Sequence, residues 1–215
     1  MYDDQNLRDA VLEELAWEPS VTAAHIGVTA REGVVTLSGH VESFVEKHAA
    51  ESAVRRLKGV KAVAEEIEVR LPDDIRRDDA DIARAAISKL AWNSSVPVDA
   101  ISVVVEKGWV TLSGEVEWHF QSEAVVCDVR TLWGVVGVTN DIRIRPPVNT
   151  AILGGDITRA LNRAWGDPRS IKVTADGGRV RLTGTVHSWS DRVLAAKTAW
   201  AAPGAAAVEN DLIIV

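Results

Sequence analysis

Cysteine is almost missing: the 215 residues hold one, Cys127, so no disulfide framework within the chain is possible. Its neighbours Val125, Val126 and Val129 follow a helical pattern, and a buried structural thiol is expected there. No apolar run comes near the ~18 residues that a membrane-crossing helix needs. The opening residues, Met1 to Ala10, are acidic and polar where a secretory signal is basic and then apolar. If Met1 is the natural start, a cytoplasmic location is expected, peripheral to the inner membrane at most. An excess of positive charge is also lacking. The formal net charge of −7 argues against a general nucleic-acid binder, whose phosphate contacts need a basic surface.

Reactive constellations are lacking as well. His25, His40, His48, His119 and His187 share no zinc-like spacing, and no metal site is expected. Ser38, Ser113 and Thr183 recur just before a glycine, but no Gly-x-Ser-x-Gly elbow accompanies them. No Gly-Lys-Ser/Thr follows a glycine-rich turn, which excludes a phosphate loop. Acidic residues fall on outward helix and strand phases, where solvated faces explain them better than acid/base pairs. No catalytic residue and no cofactor is expected.

What the chain does have is one stretch written three times. Gly33 to Gly39 (Gly-Val-Val-Thr-Leu-Ser-Gly), Gly108 to Gly114 (Gly-Trp-Val-Thr-Leu-Ser-Gly) and Gly178 to Gly184 (Gly-Arg-Val-Arg-Leu-Thr-Gly) each follow a turn signal and alternate apolar with polar residues. That is a half-buried strand entered through a tight hairpin. The copies begin 75 and 70 residues apart, the length of a small domain rather than of a solenoid unit. A second glycine follows the first by 20 residues in every copy: Gly59 after Gly39, Gly134 after Gly114, Gly204 after Gly184.

Each copy predicts the order α-β-β-α-β. In the first, Leu7, Val11, Leu12 and Leu15 recur at helical spacing, Ile26 to Ala30 alternates as a strand, and the signature strand turns Val35, Leu37 and Val41 to one side. Ser43 with Glu46 fits a helix capping box, and Ala49, Ala50, Val54 and Leu57 make the buried stripe of the second helix. Gly59 ends it, before a strand of Val63, Ile67 and Val69. The second copy places Ile82, Ala86, Ile87, Leu90 and Trp92 on its first helix. The third places Leu194, Ala195, Ala199 and Ala202 on its second.

The predicted fold class is therefore α+β: three tandem domains, 1–72, 73–147 and 148–215, each a three-stranded mixed sheet with both helices on one face. The first two strands form a hairpin, and the second reaches the third through a helical crossover. Arg145-Pro146-Pro147 makes the last junction the stiffer one. With glycines at 154 and 155, the first helix of the third domain is the least regular.

This pattern, with Gly134 to Ile142 (Gly-Val-Val-Gly-Val-Thr-Asn-Asp-Ile) and Gly204 to Leu212 ending in Asn210-Asp211-Leu212, resembles the BON domain. The resemblance covers nearly the whole chain in three copies. It implies a non-enzymatic module, often in tandem, proposed to bind phospholipid and associated with envelope integrity and osmotic stress. It also marks Gly39, Gly59, Gly114, Gly134, Gly184 and Gly204 as family glycines. Their expected role is turn and helix-stop geometry rather than ligand contact.

Residues not shared among the copies are the candidate contacts. Eight basic residues stand against thirteen acidic in 1–72, eight against twelve in 73–147, and eight against six in 148–215. Only the last third can meet an anionic surface without long-range repulsion. Arg159, Arg163, Arg169, Arg179 and Arg181, with Trp189, are its expected lipid contacts. Trp17, Trp92 and Trp165 each close a first helix and are expected to cap the cores. Trp109 takes the outward phase of its strand, and Trp118 replaces the capping Ser43; each is read as a local packing residue or a partner contact. Two functions follow: engagement of anionic phospholipid or a membrane-associated partner, or a scaffold that self-associates through sheet faces and exposed tryptophans.

Overall fold

A computed structural model describes residues 4–97, 99–146, 153–165 and 170–215, the side chains of 164 and 165 excepted. The elements run α1 (Asp4–Trp17), β1 (Ile26–Arg31), β2 (Val34–Val41), α2 (Phe44–Arg55) and β3 (Ala62–Val69) in the first repeat. The second has α3 (Asp79–Ala91), β4 (Ile101–Glu106), β5 (Trp109–Val116), α4 (His119–Arg130) and β6 (Gly137–Ile144). The third has α5 (Leu153–Trp165), β7 (Ile171–Asp176), β8 (Arg179–Val186), α6 (Trp189–Trp200) and β9 (Ala207–Ile214). Each repeat builds one three-stranded sheet, ordered β1-β2-β3, β4-β5-β6 and β7-β8-β9. The predicted element order and mixed α+β class are what the structure contains.

The chain divides into two compact units. The first is Met1–Ile87 with Val104–Val110 and Asp128–Thr139; the second is Ser88–Val103 with Thr111–Cys127 and Asn140–Val215. In the first unit, β1 pairs antiparallel with β2, and β2 parallel with β3. Strand alternation sends Val35, Leu37 and Val41 of β2 inward, where they meet Leu7, Val11 and Leu15 of α1 and Ala50, Ala53 and Val54 of α2. Each fully buried Leu or Val adds about 1.5–3 kcal/mol of transfer free energy. In the second unit, Val180, Leu182 and Val186 of β8 face Leu153, Ile157 and Leu161 of α5 and Ala195 and Ala199 of α6. Helix α5 is regular despite Gly154 and Gly155, because burial of its stripe Leu153, Ile157 and Leu161 outweighs their propensity cost.

Five residues expected in the helix cores are exposed, the two tryptophans among them for a reason of phase. Trp17 is 85% exposed and Trp92 89%. The buried stripes step by four, Leu7-Val11-Leu15 and Ile82-Ala86-Leu90, and each tryptophan falls two residues past the last step, turned about 200° away. On the third stripe, Leu153-Ile157-Leu161, that same position is Arg163, not Trp165, whose side chain lies outside the described residues. Ile87 and Leu194 are likewise exposed, and Cys127, expected in the core, is exposed on α4.

The first two hairpins share a polar brace that periodicity does not reveal. Glu32 and Gly33 both have positive φ, 54° and 85°, as a two-residue type I′ turn requires. The Asp4 carboxylate accepts from the Glu32 amide at 2.8 Å, and Asp79 accepts from both Lys107 and Gly108 at 2.8 Å. The first residue of α1 or α3 thus holds the turn that follows it in the fold. The turn glycine in each repeat also accepts from the chain entering the third strand: Lys61 to Gly33, Val136 to Gly108, Ala206 to Gly178.

A second polar link joins the second helix to the third strand. Lys47 lies 3.5 Å from Glu65, Asn140 donates to Ser122 Oγ at 3.0 Å, and Arg192 and Asn210 exchange hydrogen bonds with each other's carbonyls at 2.8 and 2.9 Å. The three pairs occupy equivalent positions, so the asparagine of the sequence pattern is a structural tie. Ser43 caps α2 as expected, accepting from the Glu46 amide at 3.1 Å. The Glu46 carboxylate does not complete the capping box: it accepts from Glu42 and Thr22 amides, binding the helix start to the loop before β1.

The signature glycine is explained by one close approach. Gly39 has φ +119°, and a β-carbon there would stand 2.1 Å from the His25 carbonyl oxygen; at Gly114 and Gly184 the corresponding carbonyls are Ala100 and Ser170, at 2.0 and 1.8 Å. Gly39→Ala is expected to lower stability by about 3 kcal/mol or more, read as a shift of the urea midpoint. Gly155→Ala, where a β-carbon meets nothing within 4 Å, is expected to raise it by about 0.5–1 kcal/mol. A Gly39→Ala protein as stable as the parent would show that the glycine is not there for space.

Candidate functional site

The third repeat divides its cations between two sides of one sheet. Buried Val180 and Leu182 point into the helices, so Arg179 and Arg181 stand on the opposite, open face. Register places Arg181 beside Glu209 and Thr183 beside Asp211. Arg181 donates to Glu209 at 2.8 Å and approaches Asp211 to 3.4 Å, while Arg179 lies 3.6 Å from Glu209. The hydrogen bond that Arg181 donates to Glu209 raises the Arg181 pKa above its ordinary value. Two arginines meeting two carboxylates leave this face close to neutral.

The helical side differs. Arg159 and Arg163 on α5, one turn apart, and Lys197 on α6 line a groove of about 550 Å³ with Asp156, floored by Ala160 and Ala202. Arg159 pairs with Asp156. Among the described residues, three cations against one carboxylate make this groove basic. Arg169 lies outside the described residues.

Next to it is an aromatic cleft. Trp118 stands at the cap position of α4, where Gln121 supplies the oxygen, accepting from the Glu117 and Trp118 amides at 3.1 and 3.0 Å. Trp118, His119, Phe120 and Glu123 face Lys197, Trp200 and Ala201 of the α6 end across about 490 Å³. His119 stacks on Trp200 with ring centroids 4.0 Å apart and planes 13° off parallel. Burial depresses the His119 pKa, and Glu123 opposes the shift.

The other predicted tryptophans are placed separately. Trp109 lies on the open sheet side, 50% exposed, its Nε1–H donating to Thr139 at 2.8 Å. Its ring occupies the space a side chain at Gly137 would need, 2.4 Å from that β-carbon position. Trp189 begins α6 with the Arg192 guanidinium 5.2 Å from its ring centre. The structure brings Arg159 and Arg163 together and sets Trp118 beside them, across α6. Arg181 and Trp109 line neither cavity, while Arg179 lines a neighbouring cleft of about 590 Å³ with His119 and Trp200.

The BON domain model matches residues 3–70, 78–146 and 149–215. The chain belongs to the BON domain family. It is similar to Osmotically-inducible protein Y of Escherichia coli (strain K12), at 28% identity over 147 residues, covering 66% of this chain and 73% of that one. Two structures of CdsD, a structural protein of the type III secretion system of Chlamydia trachomatis, align over 98% and 100% of this chain and 92% and 100% of theirs. Their TM-score is 0.28, at 16% and 17% identity. Among the described residues no helix is long and apolar enough to cross a membrane, and no cluster of three metal-ligating side chains occurs.

Within this BON chain, sequence reasoning missed Lys197 and Trp200. Their signal was present: Lys197 stands where the other repeats have Ser52 and Cys127, and Trp200 where they have Arg55 and Arg130.

The stacked His119 generates a pH dependence. Its folded pKa is depressed, so the neutral stack is favoured above the ordinary imidazole value of about 6.5 and is lost as pH falls through the lower folded value. Urea midpoints are therefore expected to fall on acidification from pH 7.5 to 5, and less steeply in His119→Phe, which installs the residue of the first repeat, Phe44. Equal slopes would show that His119 does not couple protonation to stability.

Proposed function

We propose that this BON protein is a non-catalytic binding protein of stress or envelope physiology, and that it engages anionic phospholipid through the helical side of its third repeat. The observation that carries the reading is the sidedness of the cations. Arg159, Arg163 and Lys197 share one groove, while Arg179 and Arg181 are taken up by Glu209 and Asp211. The stress assignment is supported by the similarity to Osmotically-inducible protein Y. Each Lys or Arg near an anionic bilayer contributes about 1 kcal/mol, and the attraction falls off within a Debye length.

A second reading, a scaffold that associates with itself or with a membrane-associated protein, is favoured by Trp17 and Trp92. Large indoles at 85% and 89% exposure are uncommon on a surface that has no partner.

Co-sedimentation with vesicles of phosphatidylglycerol and phosphatidylcholine, against phosphatidylcholine alone, separates the readings. Salt-sensitive binding to the anionic vesicles is expected. Arg159→Gln with Arg163→Gln should weaken it by about thirtyfold, a loss of two ~1 kcal/mol contributions. Arg179→Gln with Arg181→Gln should change it by less than about threefold. No anionic preference, or equal losses in both double variants, overturns the lipid reading; oligomers of the protein alone that dissociate in Trp17→Ala with Trp92→Ala establish the second.

A further inference from the structure

The basic groove and the aromatic cleft are not two separate features. Lys197 and Ala201 line both, so the α6 ridge is their common wall. On one side of that wall stand Arg159 and Arg163; on the other stand Trp118, Phe120 and Trp200. Both volumes, about 550 and 490 Å³, fall in the size range of small-ligand sites.

We propose that groove and cleft together form one site for a single anionic amphiphile, its phosphate held by Arg159, Arg163 and Lys197 and its hydrocarbon chain laid on Trp118, Phe120 and Trp200. The proposal rests on the anionic-lipid reading above and narrows it from a membrane surface to one molecule in one place.

Four observations support it. Phe120 is 57% exposed at the cleft rim, apolar surface that a hydrocarbon chain would remove from water. Trp200 is already held by its stack on His119, so the cleft wall needs little ordering when a chain arrives. Lys197 sits on the ridge, where its aliphatic stem can follow the apolar wall while its ammonium serves the groove. Glu123 lines the cleft and not the groove, so an anionic head is repelled at the aromatic end and attracted at the other. That charge arrangement orients the ligand, and it disfavours a neutral amphiphile or a free anion, each of which uses half of the site.

Isothermal titration of the full chain with decyl phosphate below its micelle concentration tests this, with inorganic phosphate and decyl maltoside as half-ligands. Saturable one-to-one binding is expected for decyl phosphate, at least about tenfold tighter than for either control, since each half contributes a separable term. Phe120→Ala and Arg163→Gln should each weaken it by about tenfold. Far-UV circular dichroism identical to the parent shows that these exposed positions leave the fold intact. Absence of one-to-one binding, or binding that either variant leaves unchanged, overturns the single site. If anionic vesicles still bind in that case, the surface reading stands without it; if they do not, both fall.

Discussion

The fold depends on one tight crossing. In every repeat the central strand passes so close to the backbone just before the first strand that only a glycine fits, with a carbonyl oxygen about where its β-carbon would be. In the first and third repeats the same strand carries the inward Val and Leu pair, forms the antiparallel hairpin on one edge and the parallel pairing on the other, and receives both helices on one side. Moving it outward to admit a side chain would open the hairpin and the core together. This explains why glycine-to-glycine punctuation survives three times in a chain whose other positions differ freely.

A scaffold repeated with that constraint sorts the remaining residues. Positions shared among the repeats are occupied by the core and the helix-to-strand tie, and in the first two by the hairpin brace as well. The tie itself shows how little identity is required: ion pair, serine–asparagine, and a reciprocal pair of side-chain-to-carbonyl hydrogen bonds do the same work at one place. Residues found in one repeat only are free of that work, and in the third they gather on α5 and α6. The open sheet face, by contrast, balances its arginines with carboxylates supplied by the neighbouring strand.

Much of this was legible in the residues. Strand alternation placed Val35, Leu37 and Val41 correctly, and the turn and stop glycines marked the element ends. Exposed surface was read less well, because a tryptophan at a helix end looks like core until its angle from the stripe is counted. Trp17 and Trp92 fall two residues past that stripe, and the same count makes Arg163 their counterpart. The neutralisation of Arg181 was hidden for a different reason: it depends on strand register across a parallel crossover, which puts Glu209 opposite Arg181 from 28 residues away. The joining of Trp118 to Trp200 and Lys197 is likewise a matter of packing between repeats, which periodicity within a repeat does not contain.

The central claim is that the helical side of the third repeat meets the anionic ligand while its sheet side does not. Hydrogen–deuterium exchange with and without phosphatidylglycerol vesicles tests this most directly, because it reports both sides in one experiment. Slower exchange is expected in peptides spanning α5 and α6, with β7, β8 and β9 unchanged. Protection confined to the strands, or spread evenly over all three repeats, would contradict it.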